Sequence, residues 1–157
     1  MDTATQAARP ALANHPAADY PARDAAVLIG RILLAVLFIT SGWGKLMAFQ
    51  GAVGAIGSKG LPLPEVLAAL TVLIELGGGI ALAIGWKARW AALLIALFIV
   101  IITPLFHNYW AVPAAQVAAQ KINFFKNLSI LGGMLAIYAF GPGRYSIENK
   151  NLRGKAG

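Results

Sequence analysis

The chain has 157 residues, of which 59% are hydrophobic and only 12% are charged, and its mean hydropathy is +0.69. These values exclude an ordinary soluble globular domain, in which about 25% of the residues are charged. The absence of cysteine excludes a disulfide, a thiolate metal site and an iron–sulfur cluster. With a formal net charge of +7, the composition is that of a basic membrane protein.

Four apolar stretches are each long enough to cross a hydrocarbon core of about 30 Å, at about 1.5 Å per residue of helix. They lack the alternation of apolar and polar residues that the strands of a membrane β-barrel require. Helices are therefore the structure that satisfies the backbone hydrogen bonds in lipid. The sequence therefore predicts an all-α fold, an integral membrane four-helix bundle. The predicted spans are residues 25–47, 64–84, 89–106 and 124–140.

The segment before the first span is rich in Ala and Pro and has no apolar run, which predicts a disordered tail and not a signal peptide. We expect three parts: this tail (1–24), a membrane domain (25–147) and a basic C-terminal tail (148–157). Four glycines at every third position of the first loop suggest that this loop is flexible: Gly51, Gly54, Gly57 and Gly60.

The basic residues predict the orientation of the bundle. Eight of them lie in the two tails and the second loop: Arg9, Arg23, Lys87, Arg89, Arg144, Lys150, Arg153 and Lys155. Four lie in or beside the first and third loops: Lys45, Lys59, Lys121 and Lys126. This bias places both termini in the cytoplasm. It also makes the lipid bilayer the expected partner, because no basic run with interleaved aromatic residues indicates nucleic acid.

Glu75 lies at the middle of the second predicted span, where a charged side chain costs roughly 2.5 to 3.5 kcal/mol of insertion free energy. A partner or a proton is therefore expected. Arg31 and Lys45 are the candidate partners, because they share one face of the first predicted span. Small residues on the Glu75 face of the second span, including Gly78 and Gly79, would allow that helix to approach closely.

Further polar residues recur at the outer ends of the third and fourth predicted spans. His107 follows Pro104, which ends or kinks the third helix. Lys126 and Asn127 stand near the start of the fourth. We expect Lys45, His107, Lys126 and Asn127 to form a polar pocket that opens toward the outer leaflet, with Glu75 one to two turns deeper.

Each of these residues also has an ordinary structural interpretation. Lysines near span ends commonly extend their ammonium group to the interface, which would account for Lys45 and Lys126. His107 can serve as a helix cap, and Glu75 can be a buried structural partner of Arg31 or Lys45. A functional role is favoured for Glu75, because a carboxylate at the membrane midplane is costly.

From Gly30 to Phe140 the sequence resembles the DoxX family of small bacterial four-helix membrane proteins. The resemblance rests on the order of four motifs: Arg31 followed by Gly-x-x-Lys in "RILLAVLFITSGWGKL", Glu-Leu-x-Gly-Gly in "IELGGGI", His-x-x-Trp in "FHNYW" and Phe-Lys-Asn in "FFKNLSILGGML". It implies a multi-pass protein of the cytoplasmic (inner) membrane with a link to quinone-dependent redox chemistry or to oxidative or thiol stress.

If the pocket takes a quinone, Lys45, or Lys126 with Asn127, would donate hydrogen bonds to the quinone oxygens, with Arg31 on the same first-span face. Glu75 and His107 would carry protons as catalytic groups. The chain has no covalently bound cofactor and no metal site in this interpretation, so the electrons must come from a soluble redox partner protein or the substrate. The protein would then be the membrane subunit of a quinone-dependent oxidoreductase.

Two other functions remain open. One is a small proton-coupled transporter that uses the same pocket, for which a homo-oligomer would supply a missing half. The other is a membrane scaffold that holds soluble stress enzymes through its basic cytoplasmic tails. The scaffold requires the residues after Arg144 and makes Glu75 dispensable, which separates it from the redox function.

Overall fold

The computed structural model describes residues 21–149, and within that range the fold is entirely helical, with no strand. Four helices are long and apolar enough to cross a membrane, which confirms the predicted fold. In chain order we call them the first to fourth spans: Pro21–Met47, Pro64–Ile84, Ala88–Ala111 and Ala114–Phe140. The predicted tails 1–24 and 148–157 lie almost wholly outside the described residues.

The observed helix bounds agree with the predicted spans in the middle of the chain and differ at the first and last helices. The second span has the predicted bounds, and the α-helix of the third is Ala88–Phe106 before a short 3₁₀ turn, Tyr109–Ala111. The fourth span begins at Ala114, ten residues before its predicted start. Its first turns, "AAQVAAQKIN", are too polar to count as an apolar run, but Ala and Gln are strong helix formers.

The first loop is not flexible as predicted, because most of it is a short helix, Phe49–Gly57. Its buried residues Val53 and Ile56 pack against Ala68 of the second span. Among the four glycines of this loop, Gly60 alone has a left-handed φ, of 70°. The four glycines are exposed, and the short helix lies against the bundle through Val53 and Ile56.

The helices approach closely because small residues line their contacts. Ala35, Ala88 and Ala92 are fully buried. A Cβ on Gly78 would lie 3.0 Å from Ile95 Cδ1, and one on Gly79 would lie 3.1 Å from the backbone nitrogen of Ile39. The second span is thus held tightly between the first and third, and this packing fixes the position of Glu75.

Candidate functional site

A π-helical turn, Leu73–Gly77, interrupts the α-helix in the middle of the second span. Such single turns contain an extra residue and are frequently found at functional sites. Glu75 is the central residue of the turn and is buried. The irregularity thus coincides with the carboxylate that is most costly to place in a membrane.

The carboxylate is paired with a cation from the first span. Lys45 Nζ lies 2.7 Å from Glu75 Oε2 and 2.7 Å from Ser41 Oγ. The Glu75 side chain is 6% exposed and that of Lys45 is 35% exposed. One end of the ion pair is therefore enclosed by protein, while the other faces the surroundings of the bundle.

Gly42 is the residue that allows this pairing. A Cβ at position 42 would lie 2.7 Å from the backbone nitrogen of Leu76 and 3.1 Å from Glu75 Cβ. The first span can therefore touch the π turn only because Gly42 has no side chain. Lys45, one turn farther along the same helix, is then level with the carboxylate.

Arg31 is not part of this site, contrary to its predicted place in the pocket. It lies 14 residues before Lys45, about 21 Å away along the helix. Its buried guanidinium donates hydrogen bonds to the carbonyls of Pro142 at 2.7 Å and Tyr145 at 2.6 Å. Arg31 thus binds the backbone after the fourth span, at the opposite end of the bundle.

The other predicted pocket residues make separate contacts. Asn127 is buried and donates to Thr103 Oγ1 at 3.0 Å, which joins the third and fourth spans. His107 Nδ1 is hydrogen-bonded to Gln120 Oε1 at 2.8 Å. The exposed ammonium of Lys126 donates to Asn123 of its own helix at 2.8 Å. Among the described residues, hydrogen bonds therefore link Lys45 with Glu75 and leave Asn127, His107 and Lys126 in three separate groups.

Two contributors to these contacts were missed in the sequence. Ser41 is four residues before Lys45, a spacing that places both on one helix face and could have identified it. Gln120 lies in the part of the fourth span that was not predicted to be helical. Its role depends on the chain reversal between the third and fourth spans, which no local pattern indicates.

The chemistry available at the site follows from the protons of Lys45. An ammonium group has three N–H donors, and two of them are used, on Ser41 and Glu75. The third has no acceptor among residues 21–149. The site can therefore donate one further hydrogen bond to a group outside the bundle, and it holds an acid and a base 2.7 Å apart.

The fold and this ion pair define the protein as a small four-span helical membrane protein with a charged site inside the bundle. The chain belongs to the DoxX family, whose model matches residues 26–108. This confirms the resemblance inferred from the motifs.

Two similar proteins are from Escherichia coli. Inner membrane protein YqjF is 40% identical over 80% of this chain and 91% of its own length. Inner membrane protein YphA is 33% identical over 82% of this chain and 92% of its own length. The predicted location is thereby confirmed, and the protein is a multi-pass protein of the inner membrane.

A more distant similarity extends to eukaryotes. The Surfeit locus protein 4 homolog of Drosophila melanogaster is 34% identical over 77% of this chain, which corresponds to 39% of that protein. No solved structure matches the chain.

Proposed function

We propose that this protein is the membrane subunit or accessory of a quinone-linked redox system, and that the Lys45–Glu75 pair binds the quinone head group. The observation that supports the proposal is the ion pair itself, enclosed on the Glu75 side and open on the Lys45 side. Placing an ionisable group inside a span is costly, which makes such a group a candidate functional site.

The quinone approaches Lys45 from the lipid. Apolar side chains beside Lys45 on the first span, Trp43, Leu46 and Met47, are exposed on the surface of the bundle. A quinone ring can lie against such a surface. One of its carbonyl oxygens then accepts the third N–H of Lys45, while Ser41 and Glu75 keep the ammonium in place.

Proton transfer to the quinone accompanies its reduction. Reduction of a quinone to a quinol takes two electrons and two protons; a soluble redox partner supplies the electrons. Lys45 gives a proton to the quinone oxygen as negative charge develops there, and is then reprotonated from water at its end of the bundle. Glu75 orients the ammonium and relays protons from water to it, and the other quinone oxygen takes the second proton from water.

The test is to purify the protein in mild detergent and to measure the quinone bound per chain. Wild type is compared with Glu75→Gln and Lys45→Ala, and with Lys59→Ala as a control that removes another lysine near the same end of the bundle. We expect close to one quinone per chain in wild type and Lys59→Ala, and a loss of about tenfold or more in the two site variants, because a charge-assisted hydrogen bond contributes about 1.5 to 3 kcal/mol.

The same variants are assayed in membrane vesicles for quinone-dependent electron transfer. Quinone retained by all four proteins, with unchanged transfer, would contradict the proposal. Bound quinone with lost transfer in Glu75→Gln would assign Glu75 to proton movement and not to binding. The same four proteins are checked for thermal unfolding, so that loss of binding is not mistaken for loss of the fold.

A proton-coupled transporter is a second candidate, and one observation favours it. The first span ends at Met47 and the chain continues in a short helix, Phe49–Gly57, while the second span contains the π turn. A spanning helix that is irregular beside a charged group, as the second span is here, is typical of transport sites. Proton uptake into liposomes that contain the purified protein, abolished by Glu75→Gln, would favour this function over the redox one.

A further inference from the structure

The fourth span has an exposed face with two lysines that no acidic residue neutralises. Lys121 and Lys126 both lie on the surface, and neither forms an ion pair with any residue in the range 21–149. The acidic residue nearest the midplane, Glu75, is already paired with Lys45. Two positive charges therefore remain unbalanced on the exposed side of the fourth span.

The two lysines flank a shallow groove of about 510 Å³. The groove is wide open, and its lining residues all belong to one side of the fourth span: Lys121, Ile122, Phe125, Lys126 and Ser129. Below it, Gly132 has open space where a side chain would stand. The groove thus has two lysines at the end nearer the third loop and apolar or small residues farther along the helix, the same order as the headgroup and acyl chain of a lipid.

The aromatic residues fix the level of this groove in the bilayer. Trp110 packs edge to face on Phe124, with ring centroids 5.7 Å apart, and Tyr109 packs on Phe124 and Phe125 at 5.5 and 6.3 Å. Trp and Tyr prefer the layer of the lipid headgroups. Because Phe124 is level with Trp110, Lys121 lies about one turn toward water and Lys126 less than one turn toward the core.

We propose that Lys121 and Lys126 bind the phosphate of an anionic glycerophospholipid, whose acyl chain lies along Phe125, Ser129 and Gly132. The phosphate sits between the two ammonium groups, which approach it from opposite sides of the interface. Asn123 holds Lys126 in place through the hydrogen bond of 2.8 Å. The occupant is a lipid and not a peptide, because the charges lie at headgroup depth and the remainder of the groove faces the acyl chains.

This site is separate from the Lys45–Glu75 pair and does not depend on the function proposed above. Each lysine near an anionic lipid surface contributes about a fivefold increase in affinity, so two contribute about thirtyfold. Neutralising both should therefore abolish preferential retention of anionic lipid.

The experiment uses the full chain in vesicles of phosphatidylglycerol and phosphatidylcholine mixed in equal parts. After transfer to mild detergent, native mass spectrometry measures the lipids that remain bound. Wild type is compared with the double variant Lys121→Gln and Lys126→Gln. The control double variant, Lys59→Gln and Lys87→Gln, removes the same charge elsewhere, and Lys121→Arg with Lys126→Arg keeps the charge at the site.

We expect wild type, the control and the arginine variant to retain phosphatidylglycerol over phosphatidylcholine, and the glutamine variant to lose that preference by about thirtyfold. The proposal is overturned if the glutamine variant prefers phosphatidylglycerol over phosphatidylcholine as strongly as wild type does, or if wild type shows no such preference. An equal loss in the control variant also overturns it, because the effect would then come from net charge. If the double glutamine variant unfolds, Lys121→Gln alone should lower the preference about fivefold, and an unchanged preference overturns the proposal.

Discussion

Gly42 and Leu76 are in backbone contact, because a single carbon atom added to Gly42 would lie 2.7 Å from the nitrogen of Leu76. This contact brings the first span against the π turn and places Lys45 within 2.7 Å of Glu75. The ion pair is therefore positioned by the absence of a side chain, and the contact can be tested without altering either charged residue.

Gly42→Ala should destabilise the protein by about 1 to 3 kcal/mol, because the two helices must separate to admit the methyl group. Gly44→Ala is the matched control: it lies on the same helix and a Cβ there meets nothing within 4 Å. Thermal unfolding in detergent measures both, and we expect the control to be unchanged or up to about 1 kcal/mol more stable. Equal stability of the two variants would show that the close contact does not limit packing.

Lys45→Met should destabilise the bundle by about 3 kcal/mol, since it leaves the Glu75 carboxylate buried without its partner. The double variant Lys45→Met and Glu75→Leu should recover most of that loss, because replacing both members of a buried pair by apolar residues is often nearly neutral. A stable double variant that has lost quinone binding would separate the functional role of the pair from its structural role. An additive loss of stability in the double variant would contradict the expected coupling.

Thr103→Val should destabilise the contact between the third and fourth spans, because Asn127 would lose the hydroxyl to which it donates at 3.0 Å. Hydrogen bonds between membrane helices contribute about 0.6 kcal/mol on average and at most about 1.7. Thr40→Val is the control, since Thr40 is exposed and bonds to carbonyls of its own helix. Thermal unfolding in detergent measures the difference in stability between the two variants. If Thr40→Val is as unstable as Thr103→Val, the hydrogen bond of Asn127 does not stabilise the contact between the third and fourth spans.

Arg31→Lys should release the segment that follows the fourth span, because an ammonium cannot reproduce the two directed hydrogen bonds to Pro142 and Tyr145. Trypsin should then cut after Arg144 faster than in wild type, as followed by mass spectrometry of the products. Arg23→Lys is the control, since Arg23 is exposed on the same span. Unchanged cleavage in Arg31→Lys would mean that other contacts hold the segment.

The sequence was sufficient to predict the four spans and to limit the candidate partners of Glu75 to Arg31 and Lys45, because both inferences depend on local patterns. Hydropathy marks a long apolar helix, and the spacing of Gly42 and Lys45 puts them on one face. The start of the fourth span was missed because Gln116, Gln120, Lys121 and Asn123 lower its hydropathy, although its Ala and Gln residues favour a helix.

Other features depend on contacts between distant parts of the chain. The π turn has no sequence pattern of its own, and the close contact of Gly42 with Leu76 beside it depends on how the first and second spans pack. Arg31 was placed in the wrong group because its partners are backbone carbonyls, which every residue has. Lys126 and Asn127 are adjacent in sequence, but Lys126 faces the surface and Asn127 the interior. Successive residues of a helix point about 100° apart, and the predicted joint role did not take this into account.

The contact of Arg31 with Pro142 spans 111 positions of the chain, which has a consequence for synthesis in the cell. The first span enters the membrane long before its carbonyl partners have been made, so during that time its guanidinium must remain near water at the membrane surface. The bundle closes at this end only when the segment after the fourth span arrives. An unfinished or truncated chain therefore leaves Arg31 without the carbonyls of Pro142 and Tyr145, and its guanidinium keeps unused donors beside the bilayer.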